Sequence, residues 1–157
     1  MRLRRVIFTA IAAAFLSEAA IAGTTTIYQP STISKTQSGY SETQIDVNRL
    51  RIVFAGEFGT DRETVEANLL YRASEATIQR GFDYFIVVNH SVDTQTQTQR
   101  KGPPLPPIGP GKKSQEVARH TAASEILMFK GARPADKPEA YDARITQTNL
   151  QWRIVRR

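Results

Sequence analysis

His90 and His120 are the only imidazoles in a 157-residue chain that has no cysteine. With no Cys there is no disulfide framework, no thiolate metal site and no cysteine nucleophile. The two histidines are expected at the end of one strand and the start of the next. Paired antiparallel, they could approach across a hairpin with Asp93 nearby, a three-ligand set of the kind that holds a metal for hydrolysis. Such ligands must all come within about 2 Å of one ion, and two histidines at strand ends are equally what an ordinary surface offers. Glu63, Glu66, Glu75 and Asp83 are carboxylates on a capping turn, exposed helix faces and a turn, which fits solvated surface.

Other catalytic signatures fail on spacing. Gly109-Pro110-Gly111-Lys112-Lys113-Ser114 looks like a phosphate loop, but a P-loop needs glycine where Pro106 stands and Ser or Thr where Lys113 stands. Its prolines also lack the amide donors that would cradle a phosphate. There is no G-x-S-x-G elbow. Neither enzyme chemistry nor a cofactor site is expected, and the metal-dependent hydrolase on His90 and His120 stands as an alternative.

The formal charge of +6 invites a nucleic-acid reading, but part of it belongs to an address. Met1-Arg2-Leu3-Arg4-Arg5 is followed by an 11-residue apolar run, Val6 to Leu16, and by Ala20-Ile21-Ala22. These are the three regions of a secretory signal peptide over residues 1–22, with small Ala20 and Ala22 preceding cleavage at Gly23. The run is too short for the roughly 20 residues that span a bilayer, so an uncleaved anchor is the lesser alternative. Removing residues 1–22 takes away Arg2, Arg4, Arg5 and Glu18 and lowers the charge to +4. The expected mature protein is periplasmic or secreted, without lipid and without a transmembrane span. An envelope protein or an anionic envelope surface, rather than nucleic acid, is the expected partner.

The elements that must position these residues follow from periodicity. Residues 23–39 are rich in Thr, Ser and Gln and read as a flexible leader. Tyr40–Ile45 and Arg49–Phe54 read as a hairpin turning at Asp46-Val47-Asn48. Thr60-Asp61-Arg62-Glu63 fits a capping box with Thr60 as cap. Val65, Leu69, Ala73 and Ala76 share one face of a helix over about 61–80, and Gly81 suits its left-handed end. The apolar run from Phe82 to Val88 suits a central strand, giving a β-α-β unit with parallel strands. Residues 94–115 contain TQTQTQ and then five prolines and three glycines in RKGPPLPPIGPGKK, which reads as a disordered loop. Thr121–Lys130 reads as a strand returning antiparallel to 83–93, with a helix as its alternative. Glu139–Leu150 is a weak helix, and Trp152, Ile154 and Val155 are expected to pack on the sheet edge.

The fold class expected is α+β: a small two-layer α/β sandwich over 40–155, one main helix on a small mixed sheet, with a long Pro-rich hairpin loop. Tyr71, Arg72, Tyr84, Arg100, Lys101, Lys112 and Lys113 are the candidate interaction surface. The polyproline stretch 102–110 could also serve as an adaptor ligand.

Four stretches carry a resemblance: GYSETQIDVNRLRIVFAG (39–56), TDRETVEANLLYRASEATIQRGFDYFIVV (60–88), SEILMFKGARP (124–134) and PEAYDARITQTNL (138–150). Together they resemble a family of small exported alphaproteobacterial envelope lipoproteins of unknown function. The most specific part spans Leu70-Tyr71-Arg72-Ala73 and Gly81-Phe82-Asp83-Tyr84-Phe85. The resemblance implies an envelope address and a non-enzymatic binding or structural role, and it brings no catalytic residues. Family members carry a lipobox cysteine where this chain has Gly23, so a soluble periplasmic form is implied.

Overall fold

A computed structural model describes residues 24–100 and 114–156. The expected signal segment with Ala20, Ala22 and Gly23, the polyproline stretch 102–110, and Lys101, Lys112 and Lys113 lie outside the described residues. The elements run β1 (Gly39–Asp46), β2 (Arg49–Ala55), α1 (Arg62–Gln79), β3 (Tyr84–Arg100), β4 (Ser114–Phe129), β5 (Ala140–Asp142) and α2 (Ala143–Leu150). Short 3-10 turns stand at Ser31–Ile33 and Gln151–Arg153.

The sheet corrects the expected fold class. It is not a small mixed sheet under one main helix. Five antiparallel strands in the order β1-β2-β4-β3-β5 form one curled sheet, and the fold is mostly β with two helices. The expected parallel neighbours, β2 and β3, do run in the same direction, but β4 lies between them. It pairs antiparallel with β2 from Leu127 to Thr121 and with β3 along its whole length. Composition concealed the length of β3 and β4: Thr94 to Gln99 is polar, yet β-branched Thr alternating with Gln pairs well once a partner strand is present. The strands therefore continue through 94–100 and 114–115, inside the range expected to be loop.

The core explains the layering. Leu50, Ile52 and Phe54 from β2, Ala122, Ile126 and Met128 from β4, and Phe85 from β3 are buried against Val65, Leu69, Ala73 and Ala76 of α1. Each large member contributes about 1.5–3 kcal/mol on burial. At its C-terminal end α1 closes as read from the sequence. Gly81 takes φ +76, Phe82 N–H donates to Thr77 O at 3.0 Å and Gly81 N–H to Ile78 O at 3.0 Å, a Schellman pair.

Its N-terminal end differs. The cap is Asp61, which accepts from Thr64 N–H at 2.7 Å. Thr60 is buried instead, its hydroxyl 2.8 Å from the Thr26 hydroxyl and donating to Thr24 O at 2.9 Å. Glu63 accepts from Arg153 Nη2 at 2.7 Å rather than reaching back.

Residues 24–38, read as a loose leader, lie against the body. Tyr28 is buried among Tyr40, Phe54 and Tyr71. Its N–H donates to Val155 O at 2.8 Å, while Tyr40 N–H donates to Gln29 O at 2.9 Å. The polar composition hid one anchoring aromatic and a set of backbone bonds. At the C-terminal end Ile154 joins the core margin, but Trp152 is 78% exposed and packs on nothing comparable.

Candidate functional site

The surviving chemical group is His90, and a β-bulge aims it. Val87 pairs with Ile126 and Asn89 with Glu125, so Val88 is an extra residue in β3. The insertion shifts the alternation by one: His90 pairs with Ser124 and faces α1, where an unbroken strand would turn it to the opposite face.

On the α1 side, Glu66, Leu69, Leu70 and Ala73 follow i, i+3, i+4, i+7 spacing and form one wall of a cleft. Val87, His90, Ser124, Ile126 and Tyr141 complete it, and its volume is about 340 Å³. The lining is apolar except at one end. There His90 Nδ1 is 2.8 Å from Ser124 Oγ, and His90 Nε2 is 3.9 Å from Glu66 Oε1. Arg62 Nε donates to Glu66 Oε1 at 2.7 Å and fixes that carboxylate.

A serine beside an imidazole suggests acyl transfer, but the surroundings do not supply the rest. β4 is a central strand, and Ser124 stands in register with Ile52 on one side and His90 on the other. The Ser124 amide faces β2 and those of Ala123 and Glu125 face β3, so β4 leaves no backbone N–H free beside the hydroxyl. The arrangement orients an imidazole at the polar end of an otherwise apolar cleft.

His90 and His120 do not meet. His120 pairs with Thr94, four positions along the strand from His90, or about 13 Å at 3.3 Å per residue. His120 Nδ1 lies 3.0 Å from the Thr94 hydroxyl. Asp93 alternates onto the opposite face from its neighbour Thr94. No group of three metal-ligating side chains occurs among the described residues.

Tyr71 and Arg72 are held by intramolecular partners. Tyr71 is buried and its phenolic oxygen accepts from Arg156 Nη2 at 2.8 Å. Arg72 donates to Glu42 and to Glu75, the latter at 2.6 Å, and its guanidinium lies over the Tyr40 ring. Burial works against the charge of Arg72, but the Glu42 and Glu75 carboxylates outweigh it and hold its pKa above the ordinary value. Burial and the Glu75 hydrogen bond push the Tyr28 phenol up. A more open hollow of about 410 Å³ lies over this cluster, bordered by Tyr28, Tyr40, Arg72, Glu75 and Arg156. The carboxylate and guanidinium groups there already satisfy one another.

Tyr84 stacks on Phe129 at 5.1 Å, on the sheet face away from α1. Arg100 is the last residue of β3. The sequence reading missed Glu66 as a site residue because it assigned that carboxylate to solvent. The missed signal was Leu69, Leu70 and Ala73 stepping away from Glu66 along one helical stripe.

No protein-family model matches the chain, and neither a curated protein nor a solved structure matches it. Among the described residues no helix is long and apolar enough to cross a membrane.

Proposed function

We propose that this is an exported envelope protein that binds, without chemical conversion, a small and mainly apolar molecule carrying one neutral hydrogen-bonding group. One observation carries the reading: a cleft of about 340 Å³ is apolar except where Glu66, His90 and Ser124 converge at one end. Its size sits at the lower end for small-molecule sites. Glu66 disfavours an anionic ligand and accepts from a hydroxyl or amine. The basic residues Arg100, Lys101, Lys112 and Lys113 would add attraction to an anionic envelope surface.

N-phenyl-1-naphthylamine is a suitable probe, being neutral, apolar and equipped with one N–H. Its fluorescence is expected to rise saturably on the native protein. The Leu70→Glu variant should weaken the affinity at least about tenfold by placing a charge in the apolar wall. Equal binding by both proteins, or no saturable binding, would overturn the reading. The address is tested separately. Amino-terminal sequencing of protein recovered from a periplasmic extract should begin at Gly23, and a chain still beginning at Met1 would contradict export with cleavage.

A further inference from the structure

We infer that β3 is the self-association edge of this protein: a second copy adds antiparallel to it, with a two-fold axis at Thr96. β5 covers the outer edge of β3 only from Tyr84 to Ile86. Beyond that, among the described residues, β3 pairs only with β4.

The direction of the backbone groups on this edge follows from two bonds on the far side of β4. Gly59 N–H donates to Ala118 O at 2.8 Å and Gly56 N–H to His120 O at 2.9 Å. Both carbonyls therefore point away from β3. Ala118 is opposite Thr96 and His120 is opposite Thr94, so these are the pairs that exchange no hydrogen bonds. The N–H and C=O of Thr94 and Thr96, and of Thr98 by the same alternation, consequently point outward from β3. Residues 93–98 are all exposed.

The sequence of that edge is self-complementary. Thr94-Gln95-Thr96-Gln97-Thr98 reads identically in both directions. A two-fold axis at Thr96 sets Thr96 opposite Thr96, Thr94 opposite Thr98, and Gln95 opposite Gln97. Thr faces Thr and Gln faces Gln, as favourable cross-strand pairs do. The three Thr pairs are those with outward backbone groups, so each can exchange two hydrogen bonds. An axis at Gln97, the centre of the other five-residue palindrome, would fall on backbone groups already spent on β4, which leaves Thr96 as the palindromic centre with outward groups. Charge does not oppose it, since Asp93 falls opposite Gln99. The stretch also lacks the proline, lysine or bulge with which edge strands usually prevent pairing. The occupant favoured over an arbitrary peptide is the same chain, because only an isologous partner exploits the palindrome. The product is one continuous ten-stranded sheet.

The absence of native cysteine makes the test direct. In sedimentation equilibrium the purified protein should pass from monomer to dimer with rising concentration. Thr96→Pro should hold it monomeric, because the ring removes an outward N–H and blocks the edge without taking a bond from β4. Circular dichroism and thermal melting of that variant establish that it remains folded. Thr96→Cys should form a disulfide-linked dimer on mild oxidation, since opposed residues of this pair type lie about 5.5 Å apart between Cα atoms. Thr94→Cys should not, because in the same register two such residues are four positions apart. A monomer at all concentrations, a dimer unaffected by Thr96→Pro, or equal crosslinking of the two cysteine variants would overturn the inference.

Discussion

Glu75 gathers three donors: the Tyr28 hydroxyl, Arg72 Nη1 at 2.6 Å and Arg156 Nη2 at 3.1 Å. Burial alone would raise its pKa, but the hydrogen bonds from Tyr28 and Arg72 and the charges of Arg72 and Arg156 outweigh it and hold the carboxyl below its ordinary value of 4.5. A carboxyl that is more acidic folded than unfolded stabilises the fold once the pH is above the unfolded value. That contribution is lost as the pH falls through the lower, folded value. Glu75→Gln is therefore expected to cost about 2–3 kcal/mol at pH 7, leaving Arg72 short of an anion. The difference should shrink steadily below pH 4.5, and urea denaturation of both proteins across pH 2–7 measures it. A gap independent of pH would show that the carboxylate's charge does not matter. The sequence made Arg72 visible as a polar residue beside an apolar stripe, with Glu75 one turn further along the same helix at i+3, but nothing local identified the rest of the cluster. Glu42 is 30 residues upstream on β1 and Arg156 lies near the other end of the chain, so only the folded topology joins them. His90 was legible as a candidate ligand, whereas the residues beside it were not. Hairpin logic pointed to His120, and the extra Val88 rotated His90 toward Glu66 and Ser124 instead.

At the scale of elements, local signals read well where the cause was local. Leu50, Ile52 and Phe54 alternate because one face of β2 is buried, and α1 lies close to its expected span because an apolar stripe ends at Gly81. The leader failed that test because its fixation is long-range. Gly39 is its hinge, with φ +111 and a hypothetical Cβ only 2.1 Å from Gln29 O. That oxygen accepts from Tyr40 N–H, so it cannot move without releasing the strap from β1. Gly39→Ala is expected to destabilise by about 2–4 kcal/mol through the left-handed backbone and the backbone collision together. Chemical denaturation reads this, and a loss below about 1 kcal/mol would mean the leader is not held as described. Gly81→Ala is the natural control: φ is also positive there, but a Cβ would meet nothing within 4 Å, so the smaller loss isolates the collision.

At the scale of the whole molecule, the body is a curled sheet with α1 and α2 on one face and a two-stranded extension of β3 and β4 running beyond β2. The fold class was misread because β2 and β3 were taken as neighbours and because one polar segment was assigned to loop. The pairing of Thr121–Leu127 with β2 as well as with β3 places β4 centrally and separates the two strands of the expected β-α-β unit. The two proposals use opposite aspects of β3: its helix-facing side chains at Val87 and His90 line the cleft, and its outward backbone at Thr94 to Thr98 forms the edge. They are separable for that reason. The cysteine and proline variants at the edge leave the cleft residues untouched, and Leu70→Glu leaves the edge untouched.

Tyr28 N–H bonding to Val155 O places the first and last described segments side by side on α1. In topological terms the described chain is fastened to itself near both of its ends. Each segment supplies the other's backbone partner, so the two described ends are expected to detach together rather than one at a time.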